Sequence, residues 1–194
     1  MLRKSNEVFA LNLSKLKAIF LAVFFFTLAG ISNVNAQELF VGSVLSNEVL
    51  RYNGRTGAFI DAFVTAGSGG MDRPSGIAFG PDGNLYAGSV LSDEILRYDG
   101  ITGAFIDEFV TAGSGGLTAP NGIVFGPDGN LYVSSYATNE VLRYDGTTGA
   151  FIDVFAPENP GGLTGPSDLI FGRDGNLYVS SFISNEVLRY DGTT

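Results

Sequence analysis

One phrase recurs through this chain at a fixed interval, and that recurrence narrows the possible folds sharply. Leu39, Leu85, Leu131 and Leu177 hold equivalent places, 46 residues apart each time (85 − 39), with no insertion between them. The fullest copy runs from Gly122 to Phe155 and contains four short apolar runs: Ile123–Phe125, Leu131–Val133, Val141–Tyr144 and Phe151–Phe155. Pro-Asp-Gly, Thr-Asn and Asp-Gly-Thr-Thr-Gly separate them. Each separator is a turn signal for a backbone reason: Gly supplies positive φ, Pro presets φ at a corner, and Asp or Asn tolerates the left-handed well. Four strand-length runs joined by tight turns predict one antiparallel meander per copy.

The copies are unequal at the two ends. Leu39–Ser43 corresponds to the second strand of the phrase, and Val49–Tyr52 and Phe59–Val64 supply the third and fourth. Complete units follow at Gly76–Val110 and Gly122–Phe155, and the last starts at Leu169 and stops at Thr194, inside the turn before its fourth strand. This predicts 14 strands, grouped 3, 4, 4 and 3. Helical arrays have similar periods, but they need long stretches of 3.6-residue periodicity, and Gly, Pro and Asn interrupt every such stretch here. Strands apolar on both faces, as in Val-Leu-Arg-Tyr, need a sheet packed against each side. The fold class predicted is all-β: a β-propeller of four-stranded antiparallel blades, present as an incomplete ring.

Composition removes whole classes of chemistry. The chain has no Cys, His or Trp. It therefore has no disulfide framework or thiolate nucleophile, and it lacks the commonest general base and zinc ligand. Arg3, Lys4, Lys15 and Lys17 precede an uncharged apolar run, Ala18–Ile31, and Val34-Asn35-Ala36 follows. That order describes a secretory signal peptide over residues 1–36, cleaved after Ala36, with the propeller in 37–194 and the protein secreted or periplasmic. The mature chain keeps 7 basic residues (11 − 4), all Arg, and 19 acidic ones (20 − 1), a net charge of −12 (7 − 19). Such a charge disfavours nucleic acid and anionic membrane surfaces as partners. An unidentified protein, glycan or small-molecule ligand is expected instead.

Pro-x-Gly-Ile-Ala-Phe-Gly-Pro-Asp-Gly-Asn-Leu-Tyr, followed by an Arg-Tyr-Asp-Gly strand end, resembles the NHL-type repeat of secreted propellers over residues 39–194. More loosely it resembles the gluconolactonase/regucalcin and virginiamycin B lyase propellers. The resemblance implies a binding or scaffold module. The alternative it implies is a metal-dependent lactonase or related hydrolase whose catalytic residues lie partly in missing blades. The essential His of the virginiamycin lyases has no counterpart in a chain without His.

Residues common to every unit read as structural. Asp82-Gly83, Asp128-Gly129 and Asp174-Gly175 fit turns closed by a left-handed Gly, and one carboxylate per loop falls short of calcium's six to eight oxygens. Glu48, Glu94, Glu140 and Glu186 open third strands beside a tight turn and read as solvated. Arg51, Arg97 and Arg143 sit inside apolar strands and need partners. If Tyr52 pairs with Ala58, Arg51 faces Phe59 and Asp61 lies diagonally on the same face. The same arithmetic joins Arg97 to Asp107 and Arg143 to Asp153, a ladder of structural ion pairs in preference to a ligand site. Loss of Arg97 from a buried rung would cost about 3 kcal/mol.

Departures from the repeat carry the functional expectation. Ser75-Gly76, Asn121-Gly122 and Ser167-Asp168 are equivalent, and only Asp168 brings a charge there. Propellers place the first strand innermost, so the resemblance puts Ser75, Asn121, Ser167 and Asp168 around one mouth of a central channel as ligand-binding candidates. Regucalcin-like propellers hold a metal at such a mouth with carboxylates and Asn from separate blades. Here one Asp and one Asn stand there without the Glu. No catalytic residue and no cofactor is assigned, and a divalent cation such as calcium is the one metal considered.

A six-bladed ring, the number implied by the resemblance, takes about 276 residues. Residues 37–194 number 158. The sequence therefore reads as part of a longer propeller, truncated at its C-terminal side. The piece on its own is expected to aggregate or to form mixed oligomers through uncovered blade faces and edges.

Overall fold

A computed structural model describes residues 38–158 and 161–192. The expected signal segment, its cleavage point and Pro160 lie outside the described residues. Fourteen strands occur among the described residues, in four antiparallel sheets. Sheet I contains β1 (Glu38–Ser43), β2 (Glu48–Asn53) and β3 (Phe59–Val64). Sheet II contains β4 (Pro74–Phe79), β5 (Leu85–Ser89), β6 (Glu94–Tyr98) and β7 (Phe105–Val110). Sheet III contains β8 (Pro120–Phe125), β9 (Leu131–Ser135), β10 (Glu140–Tyr144) and β11 (Phe151–Ala156). Sheet IV contains β12 (Pro166–Phe171), β13 (Leu177–Ser181) and β14 (Glu186–Tyr190). Each strand pairs only with its neighbour in sequence. Among the described residues no helix is long and apolar enough to cross a membrane.

The turn residues take the conformations their chemistry favours. Gly83, Gly129 and Gly175 have φ near +80°, and Asn47, Asp93, Asn139 and Asn185 stand in the left-handed region at φ 57, 57, 60 and 58°. In the third hairpin turn Asp145 accepts hydrogen bonds from the N–H groups of Thr147 and Thr148, at 2.9 and 2.8 Å.

Alternation along the strands sends side chains to both faces, so among the described residues sheets II and III each pack on two neighbours and sheets I and IV on one. One cluster joins sheets I and II through Val49, Phe63 and Val64 against Leu85, Leu96 and Tyr98. A second joins II and III through Tyr86, Ile95 and Val110 against Leu131, Val133 and Tyr144. A third joins III and IV through Tyr132 and Val141 against Leu169, Leu177 and Val179. Leu85, Leu131 and Leu177 are fully buried. Each such leucine contributes about 1.5–3 kcal/mol.

The third-to-fourth strand register differs from the expected one. Tyr52 pairs with Phe59 and Arg51 with Asp61, with register shifts on both sides of the Leu50–Arg51 stretch, and sheets II and III repeat this pattern. A bulge sets two residues of one strand against one of the other. Arg and Asp thereby stand directly opposite, not diagonal. Glu94 is another correction, since it is only 7% exposed.

Candidate functional site

The first strands of sheets II, III and IV lie side by side, β4 against β8 and β8 against β12. Glycine permits this approach. A Cβ on Gly76 would fall 2.3 Å from the Asn121 carbonyl oxygen, and one on Gly122 would fall 2.8 Å from the Asp168 Cα. The Ser75 hydroxyl ties the first pair of strands, donating to the carbonyls of Pro120 and Asn121 at 2.7 and 3.0 Å.

Ser75, Asn121, Ser167 and Asp168 line a single cleft of 390 Å³, together with Gly76, Ile77, Gly122 and Ile123. Three of the four polar side chains are already at least partly engaged. Ser75 holds the neighbouring strand, and the Ser167 Oγ stands 2.9 Å from the Ser180 Oγ. The Asp168 Oδ1 accepts the Leu169 N–H at 2.9 Å. Its Oδ2 and the Asn121 amide have no hydrogen-bond partner among the described residues. The mouth therefore offers a carboxylate oxygen, an amide donor and an amide acceptor to whatever enters.

The sequence reading did not single out the hydroxyls behind this mouth. Ser134 Oγ accepts the Gly122 N–H at 2.7 Å, and Ser180 Oγ accepts the Asp168 N–H at 2.9 Å. The signal was available, because the equivalent residue in sheet II is Gly88.

The repeated aspartates behave otherwise. The Asp128 Oδ1 accepts the Asn130 N–H at 3.1 Å, and its Oδ2 accepts the Asn130 amide at 2.7 Å and the Tyr132 hydroxyl at 3.0 Å. Asp82 and Asp174 repeat the set with Asn84 and Tyr86, and with Asn176 and Tyr178. Burial pushes the Asp82 and Asp128 carboxyls up, but these hydrogen bonds outweigh it and hold both below the ordinary carboxylate range. Hydrogen bonds from Asn176 and Tyr178 lower Asp174 as well. No group of three or more acidic residues able to hold a metal occurs among the described residues.

The arginines form bidentate rungs near the outer rim. Nε and Nη2 of Arg51 reach the Asp61 carboxylate at 3.0 and 2.6 Å, while Arg97 reaches Asp107 and Arg143 reaches Asp153 at 3.0 and 2.5 Å. Hydrogen bonding to these carboxylates raises all three arginines above their ordinary value. Each guanidinium also lies over an aromatic ring: Phe63 at 5.1 Å, Phe109 at 5.2 Å and Phe155 at 5.6 Å. The rungs are wet. The Asp107 side chain is 43% exposed, so the penalty of a deeply buried pair does not apply to Arg97.

No protein-family model and no curated relative matches the chain. Solved structures do. Virginiamycin B lyase from Staphylococcus aureus superposes with a TM-score of 0.58 at 22% identity, over 81% of this chain and 53% of that one. The extracellular domain of a one-component system from B. thetaiotaomicron gives 0.61 at 20% identity, over 81% and 22%. The gluconolactonase XC5397 of Xanthomonas campestris gives 0.53 at 22% identity, over 69% and 41%. The fold is of the β-propeller type. These likenesses are of fold, since one propeller scaffold hosts a lyase, a lactonase and an extracellular domain alike. The chain spans about half the length of the lyase.

Proposed function

We propose that the chain is a ligand-binding propeller module, and that the ligand sits at the mouth formed by β4, β8 and β12. The observation that carries this reading is the convergence of Ser75, Asn121, Ser167 and Asp168 on one cleft. Within it, the Asn121 amide and one Asp168 oxygen have no hydrogen-bond partner among the described residues. The chemistry there suits a neutral or cationic ligand rich in hydroxyl or amine donors, such as a saccharide. Asp168 accepts from the ligand, Asn121 both donates and accepts, and the acidic chain repels anions. Secretion or export to the periplasm fits such a role and belongs to the same proposal.

Calorimetric titration of a saccharide panel, with calcium as a separate arm, tests this. Asp168→Asn and Asn121→Ala are each expected to weaken binding by about tenfold or more, the worth of a hydrogen bond to a charged group. Asp128→Asn is expected to leave binding unchanged. Binding lost only in the Asp128 variant would move the site to the turns and overturn the reading.

A further inference from the structure

The chain contains two Asn-Gly pairs, Asn53-Gly54 and Asn121-Gly122, and the fold holds them in opposite ways. This dipeptide is chemically fragile, because glycine has no Cβ to keep its backbone nitrogen away from the asparagine side-chain amide. In β8 that approach is closed off. Gly122 is buried, its N–H donates to the Ser134 Oγ at 2.7 Å, and a Cβ there would fall 2.8 Å from the Asp168 Cα. Backbone held this tightly cannot turn its nitrogen toward the Asn121 amide.

Asn53 ends β2 and opens the turn to β3, in which residues 54–58 are exposed. The Gly54 N–H has no hydrogen-bond partner among the described residues. The Asn53 Oδ1 accepts the N–H groups of Arg55 and Thr56, both at 3.0 Å. These bonds draw electron density from the amide carbon, and the first closes a small ring that contains both that carbon and the Gly54 nitrogen. The Nδ2 group has no hydrogen-bond partner among the described residues, so nothing there retains it.

The repeat shows what the same turn does with a carboxylate. Asp99 and Asp145 stand in the equivalent places, and each accepts two backbone N–H groups and a threonine hydroxyl, from Thr102 at 2.8 Å and Thr148 at 2.9 Å. Thr56 supplies the same residue type beside Asn53. We propose that Asn53 is a site of spontaneous deamidation, which converts the sheet I turn to the form that sheets II and III already carry. The Gly54 nitrogen gives up its proton to hydroxide and attacks the Asn53 amide carbon, forming a new C–N bond. The bond to Nδ2 breaks, and Nδ2 takes a proton from water and leaves as ammonia. Water then opens the cyclic succinimide at either carbonyl, giving aspartate or isoaspartate. In balance water enters and ammonia leaves, with no redox change. Aspartate preserves the hydrogen bonds of the turn, whereas isoaspartate lengthens its main chain by a carbon.

Peptide mapping by mass spectrometry, on the full folded chain held in mildly alkaline buffer, reads the outcome. The peptide carrying Asn53 is expected to gain the mass difference between an amide and a carboxyl, and to do so faster as pH rises. Conversion at Asn121 is expected to be slower by at least about tenfold, because it waits on the opening of β8. A urea-unfolded sample, in which both pairs are unconstrained, sets the reference rates. An Asn53→Asp chain is expected to unfold at the same urea concentration as unconverted wild type. An Asn53 that stays intact in the folded chain while the unfolded chain converts would overturn the proposal. So would equal rates at Asn53 and Asn121 in the folded chain, or an Asn53→Asp chain that unfolds at lower urea.

Discussion

Sheets III and IV are built from almost the same words and stand in different circumstances. Gly122 in sheet III is closed over by β12, while Asp168 at the same repeat position faces the open mouth. Arg143 grips Asp153 and lies over Phe155, while Arg189 is exposed and makes no ion pair among the described residues. Where the neighbour is present the residue type is dictated by packing. At the equivalent place on the mouth a charge stands instead of a glycine. The difference teaches that in a repeat array the chemistry to look for is in the copy that breaks the pattern.

The largest test of that contrast is Gly122→Ala. The added carbon would meet backbone of β12 at 2.8 Å, which no rotamer change relieves. A loss of about 3 kcal/mol is expected in urea unfolding, at the upper end for overpacking. Asp168→Ala, at the same repeat position, is expected to stay within about 0.5 kcal/mol. Equal losses at both positions would erase the distinction between the sheets.

A smaller difference separates the arginines. Arg143→Ala is expected to cost about 1 kcal/mol, a half-exposed bidentate pair with an aromatic contact. Arg189→Ala is expected to cost less than about 0.5 kcal/mol. A cost near 3 kcal/mol for Arg143 would mean that the rung behaves as a dry, buried pair after all.

The smallest expected difference concerns acid, because here the two sheets agree. Asp128 and Asp174 are both held below the ordinary carboxylate range in the folded chain. A depressed carboxyl adds stability above its unfolded value, about pH 3.9, and loses it as pH falls through the folded value. With no His to titrate between neutrality and about pH 5, stability should be flat there and fall below about pH 4. Asp128→Asn and Asp174→Asn should each flatten that acid limb to a similar degree in urea melts across pH. A limb that only one of them flattens would show that the sheets differ in their turns too.

Much of this architecture was legible in the sequence because it rests on local chemistry. Turn residues such as Asp128-Gly129 and Asn139 fix where strands end, and the 46-residue spacing of Leu39 to Leu177 fixes how many sheets there are. The Arg–Asp register was not legible, since hairpin counting assumes unbroken pairing and a bulge obeys no composition rule strong enough to read. The burial of Glu94 was missed for a related reason. Its position beside a turn predicts solvent, but burial there depends on the three-dimensional surroundings and not on the strand itself. The mouth residues were visible only by comparing copies, and the same comparison extended to Gly88, Ser134 and Ser180 would have found the hydroxyls behind them.

Strictly sequential pairing of strands has a kinetic consequence. Every ladder closes over a short hairpin, so the individual sheets can form on the microsecond scale of isolated hairpins, well before any faces meet. Because the hairpins are nearly interchangeable, a strand waiting for its own neighbour is also a fair match for the equivalent strand one unit away. The slow step is then the sorting of correct stacks from shifted ones, and it runs faster when units emerge one at a time from synthesis than when the whole chain is released together from denaturant.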